Sequence, residues 1–144
     1  MVFDIEADGL LDTATKIHCL SYRDPNGGTL LSTSDYNTMR NILLNAKFLI
    51  GHNIIRYDVP LLERILGIKI KAKLYDTLPM SWVLNHNRSR HGLESFGDDY
   101  GIPKPVITDW ENLSTDEYIH RCQEDVKINC ELWQDLIKRF MFIY

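Results

Sequence analysis

The run Val2-Phe3-Asp4-Ile5-Glu6-Ala7-Asp8 constrains this chain more than any other stretch. Its alternation predicts a β-strand, with Phe3, Ile5 and Ala7 on one face and Asp4, Glu6 and Asp8 on the other. Asp4 and Glu6 then stand one pleat apart, roughly 6–7 Å along the strand axis. Two carboxylates at that spacing suit a divalent cation held between them. An ordinary edge strand with a solvated acidic face has the same pattern, and the strand alone does not choose between the two.

The bulk properties narrow the choice. A chain of 144 residues is expected to form a single domain, residues 1–144, and a domain of that size buries roughly 70% of its unfolded surface. Hydrophobic content of 44% and charged content of 25% are those of a globular protein rather than a disordered one. The net charge of −4 argues against a static grip on duplex nucleic acid, which calls for a basic excess. It suits an enzyme that meets a phosphate substrate through cations held by carboxylates. Cys19, Cys122 and Cys130 are odd in number and scattered, with no zinc spacing to the histidines. A reducing compartment, the cytoplasm, is the expectation. No apolar run reaches the length of a membrane span, and no export signal is visible.

Along the chain, Lys16 to Arg23 alternates as a second strand and Thr29 to Thr33 as a third, joined by the turn Asp24-Pro25-Asn26-Gly27-Gly28. Three antiparallel strands therefore open the sheet. Ser34 is a candidate cap for a helix to about Asn45. Phe48 to Gly51 reads as a short strand buried on both faces, hence parallel to its neighbour. A helix is expected from about Tyr57 to Leu66, with Pro60 in its first turn and Gly67 ending it. Ile68-Lys69-Ile70 is a candidate extended piece, and Asp76 or Thr77 caps a helix over Pro79–Leu84. Leu93 to Tyr100 reads as a helix stopped by Gly101, followed by a Pro-containing connection to Trp110. Ser114 and Glu117 form a capping box for a final helix to about Phe140. The class is α/β, with a mixed central sheet flanked by helices.

Carboxylates gather at three element boundaries: Asp4 and Glu6 in DIEADGL, Asp58 in HNIIRYD, and Asp125 in HRCQED with His120 five residues before it. Brought together, these groups would repel one another unless hard cations lay between them, and oxygen-only ligands favour Mg²⁺ or Mn²⁺ over zinc. The order DxE…NxxxYD…HxxxxD resembles the DEDD superfamily of 3′→5′ exonucleases, a ribonuclease-H-like group. It is most similar to the proofreading domain of phage-type family A DNA polymerases. Asp76-Thr77-Leu78 and His91-Gly92-Leu93-Glu94 add to the likeness.

The resemblance implies a ribonuclease-H-like fold and two divalent cations, with hydrolysis of terminal phosphodiesters of single-stranded DNA to nucleoside 5′-monophosphates. Asp4 would bridge the cations, Glu6 and Asp125 would complete the first site, and Asp58 would hold the second. One departure stands out. Phage-type domains carry Tyr four residues before the last Asp, and here that residue is Arg121. His120 has the spacing of the histidine subclass and is the expected proton acceptor, with Tyr118 as the alternative. A continuous helix turns His120 roughly 140° away from Asp125, so the histidine reading requires a kink near His120–Cys122.

The resemblance further implies that Gly9 and Leu10 line the terminal nucleotide. His52 and Asn53 would bond the sugar–phosphate or satisfy backbone groups where a buried strand ends, and Tyr57 would stack on a base or pack in the core. Arg88, Arg90 and Lys104 are candidates for guiding a backbone. Glu94, Asp98 and Asp99 read as a solvated face, and Trp82, Trp110 and Trp133 as packing residues. The expected partners are single-stranded DNA 3′ ends and a DNA polymerase or another replication protein, with the nuclease a monomer. The chain would be a minimal nuclease core, stand-alone or excised from a polymerase. An exoribonuclease of the same superfamily, a metal-dependent endonuclease on the same fold and an inactive binding module are the rivals.

Overall fold

The structure, a computed structural model, describes residues 1–109 and 112–143. Trp110, expected to pack, lies outside the described residues. The first three strands are β1 (Val2–Ala7), β2 (Ile17–Asp24) and β3 (Gly27–Thr33), paired antiparallel in chain order. A helix, α1 (Tyr36–Asn45), leads to β4 (Phe48–Gly51), which lies parallel to β1. A π-helical turn over Ile54–Asp58 runs directly into α2 (Val59–Leu66). Then come β5 (Lys73–Asp76), α3 (Thr77–Leu84), α4 (Leu93–Tyr100) and the long α5 (Thr115–Ile143). The five strands stand in the order β3-β2-β1-β4-β5, so the acid-bearing strand is central rather than an edge.

Local chemistry explains most boundaries. Asp35, not Ser34, caps α1: its carboxylate accepts from the Thr38 amide at 2.8 Å. Gly67 and Gly101 stop α2 and α4 in the left-handed region, φ 65° and 70°, where a side chain is costly. The capping box is formed, with Glu117 N donating to Ser114 Oγ at 3.2 Å and Ser114 Oγ donating to Glu117 Oε1 at 3.1 Å. Ile68–Ile70 is not a strand. Its backbone instead closes the end of α2, Ile68 N donating to the Glu63 carbonyl and Ile70 N to the Glu63 carboxylate.

Two layers cover the sheet. On one face Phe3, Ile5, Leu20 and Leu49 pack with Met39 and Leu43 of α1 and Leu61 and Leu62 of α2, all buried. On the other, Val2 and Ile50 meet Val126 and Cys130 of α5. Burying each such side chain is worth about 1.5–3 kcal/mol. Leu132 and Leu136, further along α5, join Leu84 of α3 and Phe96 of α4 in a third cluster. Gly97 makes that packing possible, since a Cβ there would lie 2.5 Å from the Ile102 carbonyl and 2.8 Å from Ile128 Cδ1. The expected buried strand β4 is covered except at Phe48, and Trp82 is exposed rather than packed. Trp133 does pack, edge-on to Tyr75 with ring centroids 5.5 Å apart. No helix among the described residues is long and apolar enough to cross a membrane.

Candidate active site

With Phe3 and Ile5 committed to the α1/α2 layer, strand alternation turns Asp4 and Glu6 toward α5. Asp125 lies on the buried stripe of α5 between Cys122 and Asn129. The result is that oxygens of Asp4, Glu6 and Asp125 all come within 4.8 Å of one another. Cys122 Sγ donates to the Asp4 carbonyl at 3.1 Å, fixing α5 against β1 at this level. Asp58 is buried at the junction of the π-helical turn and α2. It is not one of the three clustered groups, but its charge acts on Asp4.

The electrostatics are those of crowded anions. Desolvation holds the Asp4 carboxyl well above the usual carboxylate range, reinforced by Asp125, Asp58 and Glu6. Desolvation raises Glu6 to about 7, against the opposing pull of Arg121. Asp58 is raised chiefly by burial, as is Asp125, where Lys104 opposes the shift. Asp4 Oδ2 is buried without a hydrogen-bond partner. An all-carboxylate donor set with an orphaned inward oxygen fits a hard divalent cation.

The kink that the sequence expectation for His120 requires does not form. α5 runs unbroken from Thr115 to Ile143, so the 140° offset stands. The His120 side chain is 63% exposed and sits 4.0 Å from Glu124, a turn further on. Arg121, four residues before Asp125, shares the Asp125 face instead, and its Nε donates to Glu6 Oε1 at 3.1 Å. Tyr118 stacks on His18, ring centroids 3.9 Å apart.

The expected substrate residues divide. Leu10 is 76% exposed, on the loop leaving β1. Gly9 precedes it, with its carbonyl accepting from Tyr57 Oη at 2.5 Å, so Tyr57 ties down that loop. His52 turns inward: Nε2 donates to the His91 carbonyl and Nδ1 meets Thr77 Oγ1, both at 2.8 Å. Asn53 makes the corner between β4 and the π-helical turn at φ 62°, a conformation Asn tolerates. Its amide and that of Ile55 donate to the Asp76 carboxylate, which also caps α3 through Leu78 N. Asp8 is redirected by a bulge between Glu6 and Ala7. It accepts from Thr15 N, Thr15 Oγ1 and Lys16 N, and the Thr15 hydroxyl foremost among these holds it down at about 2.

Among the proposed guiding cations, Arg88 is engaged structurally by Asp99, Ser95 and the face of Phe96. Lys104 instead reaches the cluster, Nζ lying 3.2 Å from Asp125 Oδ1. The four-residue spacing of Arg121 from Asp125 is a sequence signal for a shared helix face. Nothing local in the Ile102–Asp109 segment announced where Lys104 would point.

The sheet order and its helical layers are those of a ribonuclease-H-like fold. Brucella melitensis NrnC bound to pGG superposes with a TM-score of 0.74 at 19% identity, covering 97% of this chain and 72% of that one. NrnC with bound Mg²⁺ gives 0.69 at 21% identity, with the same coverage. Exonuclease X in complex with 5′ overhanging duplex DNA gives 0.52 at 12% identity over 94% of this chain and 97% of that one. In sequence, the DNA-directed DNA polymerase of Escherichia phage T7 is 29% identical over 105 residues, 60% of this chain but 14% of the polymerase. No protein-family model matches the chain.

Proposed function

We propose that this protein is a 3′→5′ exonuclease dependent on Mg²⁺ or Mn²⁺, acting on single-stranded DNA ends and releasing nucleoside 5′-monophosphates. The observation that carries the reading is the meeting of Asp4, Glu6 and Asp125 within 4.8 Å on a nuclease fold. Those three would hold one divalent cation, and Asp58, with Asp4, a second. Bound there, divalent cations make water a nucleophile at neutral pH and stabilise the attacking and leaving oxygens of an in-line displacement. The protein's own contribution is position. β1 and α5 fix the carboxylates, the π-helical turn presents Asp58, and Tyr57 sets the Gly9–Leu10 loop on which the exposed Leu10 would contact the terminal base. The likeness to the phage polymerase supports a proofreading role alongside a polymerase.

A second reading is degradation of short oligonucleotides such as pGG, favoured by the fit to NrnC over nearly the whole chain. Time courses on 5′-labelled DNA and RNA 20-mers and dinucleotides, with Mg²⁺, Mn²⁺ or EDTA, separate the two. The first reading predicts a ladder shortening from the 3′ end of the DNA 20-mer and no cutting in EDTA. Cleavage confined to dinucleotides transfers the assignment to the second. An untouched set of substrates in Mn²⁺ overturns both.

A further inference from the structure

Two basic side chains enter the carboxylate cluster, and neither is accounted for by the metal-dependent reading. Lys104 Nζ lies 3.2 Å from Asp125 Oδ1, the two side chains 21% and 8% exposed. Arg121 Nε lies 3.1 Å from Glu6 Oε1, the side chains 18% and 14% exposed. Lys104 arrives from the irregular segment after α4, and Arg121 from α5 one turn before Asp125. Cations this far from water need anionic partners, and here the partners are groups that would ligate metal. A guanidinium offers donors and no acceptor, so Arg121 does not stand in for the tyrosine that the resemblance places there.

Resting on the nuclease reading, we propose that Lys104 and Arg121 are a displaceable cation pair. In the metal-free protein they hold Asp125 and Glu6 in place. When divalent cations take those oxygens, the ammonium and guanidinium are released toward the one anion the reaction brings in, the terminal phosphodiester. Charge favours the exchange. Counted with every carboxyl ionised, four carboxylates against two fixed cations leave the site anionic, and two divalent ions turn it cationic, matched to a phosphate. A guanidinium offers two parallel donors to non-bridging oxygens, and an ammonium adds a point charge.

The proposal makes metal and substrate affinity move in opposite directions. In Lys104→Met and Arg121→Met, Mn²⁺ titrated into the protein and followed by electron paramagnetic resonance should bind several-fold tighter, because a competitor for the carboxylates is gone. The same variants should bind a 5′-fluorescein-labelled DNA oligonucleotide in Ca²⁺ about tenfold more weakly by anisotropy, the loss of a charge-assisted contact. Lys104→Arg and Arg121→Lys should recover most of that affinity. A purely structural role predicts that Mn²⁺ binding weakens along with oligonucleotide binding, and that result overturns the proposal, as does unchanged affinity for either. If Arg121→Met does not fold, Lys104→Met, on an irregular segment, carries the test alone. Wild-type protein that neither binds Mn²⁺ nor cuts DNA removes the nuclease reading itself, an outcome distinct from cleavage with unaltered variant affinities.

Discussion

The Tyr57 hydroxyl donates to the Gly9 carbonyl across 2.5 Å, joining the π-helical turn to the loop that leaves β1 although 48 residues separate the two. Asp58 follows Tyr57, and Leu10 follows Gly9. One hydrogen bond thus sets the distance between a candidate metal ligand and a candidate base contact. A π-helical turn is an uncommon element that concentrates at functional sites, and this one places the phenol and the carboxylate on successive residues.

Tyr57→Phe keeps the packing and removes that tie. The expected loss of stability is small, about 1 kcal/mol. Cleavage should suffer more, with kcat/KM falling about tenfold, because misplacement of the terminal nucleotide acts directly on the reacting geometry. Comparing thermal melts with kcat/KM on one oligonucleotide checks this, and a variant that loses stability but no activity contradicts it.

Asp4 sits among like charges with one orphaned oxygen. Its raised folded pKa means that the ionised form destabilises the metal-free protein, an effect that grows as pH rises above the unfolded value and vanishes in acid. Asp4→Asn should therefore melt a few degrees higher than wild type in EDTA at pH 7.5, on the order of 1 kcal/mol, and not at pH 4. In Mg²⁺ the same variant should cut at least about a thousandfold more slowly, the several kcal/mol expected of a lost cation ligand. Scanning calorimetry in EDTA and a single-turnover assay in Mg²⁺ give the two signs.

Where structure was written locally, the sequence could be read. The alternation of β1 to β3, the Ser114–Glu117 box and the glycine stops at Gly67 and Gly101 each depend on neighbours a few residues away. β5 was not legible that way. Ile68-Lys69-Ile70 looks more like a strand than Lys73–Asp76, yet parallel pairing with β4, a tertiary effect, selects the latter. The π-helical turn shifts the hydrogen-bond pattern by one residue, which no side-chain periodicity records. The carboxylates could be picked out because their motifs come in a known order, although only Asp58 stands at an element boundary. Lys104 could not, because its position follows from the path of an irregular segment.

His120 is the clearest case of a spacing that the fold does not use. Its exposed side chain on the far face of an unbroken α5 predicts a bland outcome for His120→Ala. Stability should stay within about 0.5 kcal/mol of wild type, as for surface substitutions generally, and the rate within about twofold. A loss of a hundredfold or more in a pre-steady-state assay would return the proton-accepting role to this residue.

His52 should make stability depend on pH. Desolvation foremost lowers its pKa to about 4, and its ring nitrogens are taken by the His91 carbonyl and the Thr77 hydroxyl. In the neutral ring Nε2 carries the proton, since a carbonyl can only accept, which leaves Nδ1 against the Thr77 hydroxyl. The unfolded chain takes up a proton near pH 6.5 while the folded chain does not until about 4, so acid favours unfolding across that window. The raised carboxylates act in the opposite direction over part of the same range, so the wild-type profile alone mixes the two. The difference between wild type and His52→Gln separates them, because the carboxylates are common to both. Urea unfolding at pH 7 and pH 4.5 in EDTA should show the variant losing less stability on acidification than wild type, by up to about 2 kcal/mol. Parallel losses in the two proteins would mean that His52 titrates alike in the folded and unfolded chains, contrary to its enclosed, doubly bonded position.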